Sequence, residues 1–119
     1  MNVRKQMTDI GKDIKILKYN VKRKFKKSVI LAKNMFEVCK VTCDTQTSLE
    51  AEAYLYSIEA NYLIFTRKFE QALDLLKKSW KIYENVARIK DTIESISYKE
   101  KINQLKTNIR LCQYNLNVR

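Results

Sequence analysis

The chain has 119 residues, a formal net charge of +11 and a one-sided composition with no proline, no histidine and a single glycine. Its length fits one domain over residues 1–119, and the lack of turn-forming residues predicts an all-α fold. Without histidine the commonest general base is missing, and one glycine cannot form a phosphate-cradling loop. We therefore expect no catalytic residues and no enzyme activity.

The first predicted element is a single long helix over about 8–41, with Thr8 or Asp9 as its N-cap. Apolar residues recur along it at intervals of three and four, which is the spacing of one helical face. We expect this face to pack in the core. Its members are Ile10, Ile14, Leu17, Val21, Phe25, Val29, Ala32, Phe36 and Cys39.

The other face of this helix carries most of the charge of the protein. Residues 1–40 have a net charge of +9, and residues 41–119 have a net charge of only +2. Such a concentrated field attracts a polyanion, and lysine suits phosphate contacts better than base reading. The predicted contacts are the stripe Lys15, Lys18, Lys22, Lys26 and Lys33, with Arg23 and Lys27 beside it. Tyr19 is a candidate for stacking on a base, whereas Phe25 is expected in the core.

The second predicted element is a helical hairpin over about 47–87. Thr47 and Glu50 fit a capping box for its first helix, and Arg67 follows that helix in a short turn. The hairpin has the spacing of a tetratricopeptide repeat, with small residues where the helices touch and large ones beside them. Counted from Ala72, the matching positions are Tyr56, Ala60, Leu63, Leu76 and Ser79.

One such hairpin cannot bury its own apolar face, so the long helix and a closing segment must complete the core. The closing segment is expected over about 91–117, beginning near Asp91 or Thr92, with a kink at Thr107 and Asn108. The predicted fold is therefore a tetratricopeptide-like antiparallel bundle of about four helices.

The remaining composition predicts no metal, cofactor or membrane insertion. Cys39, Cys43 and Cys112 are expected to be reduced thiols on packed faces, because three cysteines without histidine do not supply four zinc ligands. No apolar run approaches the roughly twenty residues of a membrane-spanning helix.

Several segments, taken in order and spacing, resemble the 68-kilodalton subunit of the signal recognition particle over about residues 22–117. Lys26, Lys27 and Ser28 followed by Cys39 belong to the match. The most specific segments are Leu49-Glu-Ala-Glu-Ala-Tyr54 and Asn108-Ile-Arg-Leu-Cys-Gln-Tyr-Asn115. Between them lie Phe69-Glu-Gln-Ala-Leu-Asp-Leu-Leu76 and Lys81-Ile-Tyr-Glu84.

The resemblance implies the amino-terminal RNA-binding module of that subunit, which docks on the particle's RNA near a multi-helix junction. It also implies a role in co-translational targeting to the endoplasmic reticulum, in the cytoplasm, with association with that membrane system and a nucleolar stage during assembly. Arg110, in the closing segment, could then reach RNA or brace the neighbouring helix. The partner implied besides the RNA is the 72-kilodalton subunit, through a region absent from this chain.

This sequence departs from the family pattern in three respects. It shows no arginine-rich arm upstream of the module, it lacks the family's long carboxy-terminal half, and Thr107 stands where the family can place a proline. The chain therefore reads as an excised module or a reduced version of the protein. These departures put insertion into an RNA groove in doubt, but not docking on the RNA backbone.

Three other interpretations remain open at this point. The hairpin could be a scaffold that binds a peptide or partner helix on its concave side. The basic amphipathic helix could lie on an acidic membrane surface, which we rank last because its apolar face is needed to close the core. Lysines on a helix can also be an ordinary soluble surface.

Overall fold

The computed structural model describes residues 2–89 and 92–118, and within them the chain is helical with no strand. Four helices follow one another: α1 (Val3–Thr42), α2 (Thr45–Phe65), α3 (Phe69–Ile89) and α4 (Thr92–Val118). Extensive contacts join α1 to α2, α2 to α3 and α3 to α4. The predicted all-α bundle of four helices is confirmed.

The long basic helix begins five residues earlier than predicted. Asn2 caps α1, since its side-chain Oδ1 accepts a hydrogen bond from the Arg4 N–H at 3.1 Å. Thr8 lies inside the helix, where its hydroxyl donates to the Arg4 carbonyl at 2.8 Å. The prediction of Thr8 or Asp9 as the cap was wrong because an asparagine upstream satisfies the free N–H groups first.

The capping box predicted for α2 was also wrong. Asp44 caps this helix by accepting a hydrogen bond from the Thr47 N–H at 2.9 Å, so the helix begins before Thr47. The next residue ties the two helices together, because the Ser48 hydroxyl donates to the Cys39 carbonyl near the end of α1 at 2.9 Å.

The hairpin of α2 and α3 packs as the repeat spacing predicts. Ala60, Ala72, Leu76 and Ser79 are all fully buried in the central core. The Ser79 hydroxyl donates to the Ala53 carbonyl of α2 at 2.8 Å, which satisfies the polar group buried in this interface. Small side chains let the two helices approach closely, and the large ones fill the space beside them.

The fourth helix closes the core on the side of α3. Tyr98, Leu105, Ile109 and Cys112 are buried against the hairpin. The helix runs without a break through Thr107, whose hydroxyl donates to the Asn103 carbonyl one turn earlier at 3.1 Å. The expected kink was therefore wrong. Asp91, one of the two predicted starting points, lies outside the described residues.

Only the second half of α1 belongs to the bundle. Val21, Phe25, Val29 and Phe36 are half-buried and Ala32 is buried, but the earlier members of the same apolar face are exposed. Ile10, Ile14 and Leu17 have 57%, 47% and 63% of their surface exposed. A helix of 40 residues is about 60 Å long, whereas one of 21 residues is about 32 Å long.

The first half of α1 therefore projects past the bundle, and the molecule measures 63 × 33 × 25 Å. The prediction that the whole apolar face of α1 closes the core was wrong for Ile10, Ile14 and Leu17. The periodicity shows which residues share a face, but it does not show how much of that face the other helices are long enough to cover.

Candidate nucleic-acid interface

Five lysines of α1 form one exposed row, which we call the basic stripe: Lys15, Lys18, Lys22, Lys26 and Lys33. At 100° per residue they fall within a sector of about 80° around the helix axis, and the row is roughly 27 Å long. A straight helix fixes the spacing of these charges before any ligand arrives. The basic stripe is therefore a preorganised row of cations.

Little negative charge opposes the stripe. Among the described residues, Lys33 is the one stripe member within 4.0 Å of a carboxylate, with its Nζ 3.7 Å from Glu59 Oε1. Asp9 and Asp13 lie on α1 as well, but by helical geometry their directions are at least about 100° from the stripe. Glu37 lies one turn beyond Lys33, and its Oε2 is 3.5 Å from the Nζ of Lys40. Because exposed ion pairs contribute little, Lys33 can exchange its partner for a phosphate at small cost.

The other predicted contacts lie outside this row. Arg23 and Lys27 are exposed on α1, but they point about 60° to 100° beyond the edge of the stripe, so a ligand lying on the stripe reaches them less directly. Arg110 is exposed on α4, one residue before Leu111.

The two aromatic residues among the lysines have different environments. The Tyr19 side chain is 64% exposed and lies between Lys18 and Lys22 in a groove. Phe25 is half-buried, and its ring centroid is 5.3 Å from that of Phe65 on α2. Phe25 packs on α2 but is only half-buried, so the prediction that it lies in the core holds only in part. Stacking by Tyr19 stays a prediction.

The structure also shows a groove that the sequence did not indicate. We call it the end groove, because it opens where α1 leaves the bundle and passes the turn between α2 and α3 and the end of α4. Its volume is about 790 Å³. The lining side chains are Lys18, Tyr19, Lys22, Ile64, Phe65, Thr66, Arg67, Phe69, Leu111 and Asn115.

Arg67, at the rim of this groove, has an unusual backbone conformation. Its φ is +63°, in the left-handed region, which costs about 1–2 kcal/mol for a residue with a Cβ. The Arg67 N–H donates to the Ile64 carbonyl at 3.0 Å, and the Lys68 N–H donates to the Leu63 carbonyl at 2.8 Å. This is the helix ending at which glycine is preferred.

The three cysteines are free thiols in different surroundings. Cys112 is fully buried and Cys39 is half-buried, as expected, but Cys43 is exposed at the end of α1, so the prediction of a packed face was wrong for Cys43. Burial raises the pKa of the Cys112 thiol. A hydrogen bond with Cys43, one turn away, raises the pKa of Cys39. Neither thiol is therefore activated as a nucleophile.

Over residues 2–89 and 92–118 no three acidic or cysteine side chains come together in a way that could hold a metal ion. No helix in that part of the chain has the length and apolar character needed to cross a membrane.

A model of the protein family described as RNA-binding signal recognition particle 68 matches residues 1–119. The signal recognition particle subunit SRP68 of Dictyostelium discoideum is 29% identical over 98 residues, which are 82% of this chain and 16% of that protein. The SRP68 subunit of Drosophila melanogaster is 26% identical over 100 residues, or 83% of this chain and 17% of that protein. The chain therefore spans about a sixth of the length of these relatives.

Proposed function

Since the chain belongs to the family of RNA-binding SRP68 proteins, we propose that it binds the RNA of the signal recognition particle without catalysis, through the basic stripe of α1. The observation that carries this proposal is the row of five exposed lysines on one straight helix, of which Lys33 alone is paired in the described structure. The resemblance identified from the sequence is confirmed by the family match.

The physics of the stripe favours recognition of RNA shape over recognition of sequence. Lysine ammonium groups act as mobile point charges that contact phosphates, and base reading favours the planar fork of arginine. A row of roughly 27 Å along one helix can follow the phosphates that border a groove of folded RNA. Each phosphate neutralised releases counterions, so binding is expected to weaken steeply with salt.

The wider setting follows from the family and is part of the same proposal. The chain would act as the RNA-docking module of the particle, in the cytoplasm, in co-translational targeting to the endoplasmic reticulum, with a nucleolar stage during assembly. The 72-kilodalton subunit would bind through sequence outside these 119 residues. We therefore expect the chain alone to retain the RNA and not to retain that subunit.

The proposal is tested by binding to the junction-containing domain of the particle's RNA and to a plain duplex of equal length. Lys22→Glu/Lys26→Glu reverses two charges of the stripe one turn apart. Lys77→Glu/Lys81→Glu makes the same change with the same spacing on the exposed face of α3. We expect the wild type to prefer the junction RNA, the stripe variant to lose binding, and the α3 variant to keep most of it.

Equal and weak binding of both RNAs would show that the stripe attracts any polyanion and does not recognise the junction. Equal losses in the two double variants would show that only net charge matters. Far-UV circular dichroism of each variant confirms that the helices remain folded, which exposed substitutions on straight helices should permit.

A second candidate function is peptide binding on the concave side of α2 and α4. A groove of about 430 Å³ separates these helices, and its lining includes Tyr54, Asn61, Gln104 and Asn108. Tyr54 is 45% exposed, and side-chain amides can hydrogen-bond to the backbone of an extended peptide. Asn61→Ala/Asn108→Ala tests it: this function predicts loss of association with the assembled particle and unchanged binding to naked RNA. Unchanged association would exclude it.

A further inference from the structure

The end groove joins a cationic rim to an apolar floor at the foot of the basic stripe. The rim carries Lys18 and Lys22 of the stripe and Arg67 from the turn between α2 and α3. Among the described residues, no acidic side chain lines the groove. A ligand bound in the groove is therefore expected to carry negative charge. Because Lys18 and Lys22 belong to both surfaces, this ligand would lie next to phosphates bound along the stripe.

The lining of the groove also includes two phenylalanines. Phe69 is 7% exposed and held in the core, and Phe65 is half-buried, with its ring centroid 5.3 Å from that of Phe25. Tyr19 stands at the mouth with 64% of its surface exposed. Flat apolar rings at a fixed place, with one mobile ring at the mouth, suit a planar ligand that can stack.

Arg67 stands at the rim of the groove in a backbone conformation that costs free energy for a residue with a Cβ. Glycine would adopt the observed φ of +63° without strain, and the turn needs only the backbone N–H groups for its hydrogen bonds. Strained residues of this kind cluster at ligand sites, where the side chain offsets the cost. The guanidinium suits a phosphate, because its fork of N–H groups matches the oxygens.

We propose that the end groove binds one unstacked nucleotide of a folded RNA, with the base against the rings of Tyr19 and Phe65 and its phosphate held by Lys18, Lys22 and Arg67. This inference rests on the RNA-binding function proposed above and adds a ligand to the same surface. Single-stranded loops and bulges offer such splayed bases, whereas a regular duplex keeps its bases stacked.

The test uses an RNA hairpin with one unpaired 2-aminopurine nucleotide and the same hairpin fully paired. Entry of the base into the groove should quench the fluorescence of the 2-aminopurine by stacking. Tyr19→Ala should weaken binding of the bulged hairpin roughly tenfold and abolish the quenching. Neither effect is expected with the paired hairpin.

Arg67→Gly separates ligand binding from folding. Glycine adopts the left-handed conformation without strain, so the turn and the neighbouring helices should stay folded, which circular dichroism checks. Arg67→Gly should weaken binding of the bulged hairpin roughly tenfold, since a charged hydrogen-bond donor is lost. Lys68→Gly is the matched control: it removes the same charge one residue later, outside the groove, at the residue before α3. It should leave the preference for the bulge intact.

Three results would overturn the inference. The absence of quenching with the wild type would show that no base enters the groove. Equal losses for bulged and paired hairpins in Tyr19→Ala and Arg67→Gly would show only a charged surface, and the stripe function would survive. If the wild type bound neither hairpin nor the junction RNA, the proposed function itself would fail together with this inference.

Discussion

Leu17 and Leu76 both fall on apolar helical faces in the sequence, but the structure places them in opposite environments. Leu76 is fully buried between α2 and α3, and Leu17 is 63% exposed on the projecting half of α1. The same change, leucine to alanine, should therefore have very different consequences at the two positions. At Leu76 it removes buried surface and leaves a cavity, which costs about 2–5 kcal/mol. At Leu17 it should cost less than about 0.5 kcal/mol.

The expected shifts in melting temperature follow from the size of the chain. At about 2.1 cal/mol/K per residue, 119 residues give an unfolding entropy of about 0.25 kcal/mol/K. A loss of about 3 kcal/mol in Leu76→Ala then lowers the melting temperature by about 12 °C, and Leu17→Ala lowers it by no more than about 2 °C.

Thermal and urea unfolding followed by circular dichroism measure both variants directly. Comparable losses in the two would show that the first half of α1 is packed in solution and would refute this description of the fold. Leu31→Ala, at a second exposed leucine of α1 that is 69% exposed, provides the control within the packed half of the helix.

Three further predictions concern buried groups. Ser79→Ala should cost about 1 kcal/mol of unfolding free energy, because a buried hydroxyl loses its 2.8 Å bond to α2; an unchanged urea midpoint would contradict this. Burial, helped by the charge of a nearby glutamate, raises the pKa of Tyr83 to about 12. The protonated Tyr83 hydroxyl therefore contributes its full stabilisation of the folded protein below about pH 10, and this contribution is lost as pH rises through about 12. In urea unfolding between about pH 9 and about pH 12, Tyr83→Phe should lessen the loss of unfolding free energy at alkaline pH, and Tyr114→Phe, at an exposed ring, should not. Identical pH profiles for the two variants would refute the assignment of this loss to Tyr83. A thiol reagent should modify Cys43 in the folded protein and Cys112 only after denaturation, so early modification of Cys112 would contradict its burial.

The sequence predicted the fold well wherever the signal was periodic. The spacing around Ala72 identified the hairpin, because small and large side chains must alternate where two helices touch. Ala60, Leu76 and Ser79 are fully buried, and Tyr56 and Leu63 are half-buried. Periodicity failed at Leu17, since it reports a face of a helix and not the length of the partner that covers it. The membrane-surface interpretation was ranked last because the apolar face of α1 was expected in the core, and the exposed half of that face removes this reason. Vesicle co-sedimentation tests that interpretation.

The site was only partly accessible to prediction. The basic stripe could be read from the sequence because its members lie on one helix, so their spacing alone brings them together. The end groove could not be read from the sequence, because its lining combines residues of all four helices and the turn after α2. Arg67 lines the groove because of the turn after α2, and Leu111 lines it because α4 packs on α3. The predicted caps at Thr8 and Thr47 were wrong because Asn2 and Asp44, earlier in the chain, accept the hydrogen bonds of the free helix N–H groups.

The account depends most directly on phosphate contacts by the basic stripe, and the salt dependence of binding to the junction RNA measures them. If the five lysines of the stripe contact phosphates, the slope of log K against log salt should be about −3.5 to −4.5. Lys22→Gln/Lys26→Gln should reduce the magnitude of that slope by about 1.5, and Lys77→Gln/Lys81→Gln on α3 should leave it unchanged. A wild-type slope near zero, or equal slopes for the two double variants, would contradict the assignment of the basic stripe as the RNA-binding surface.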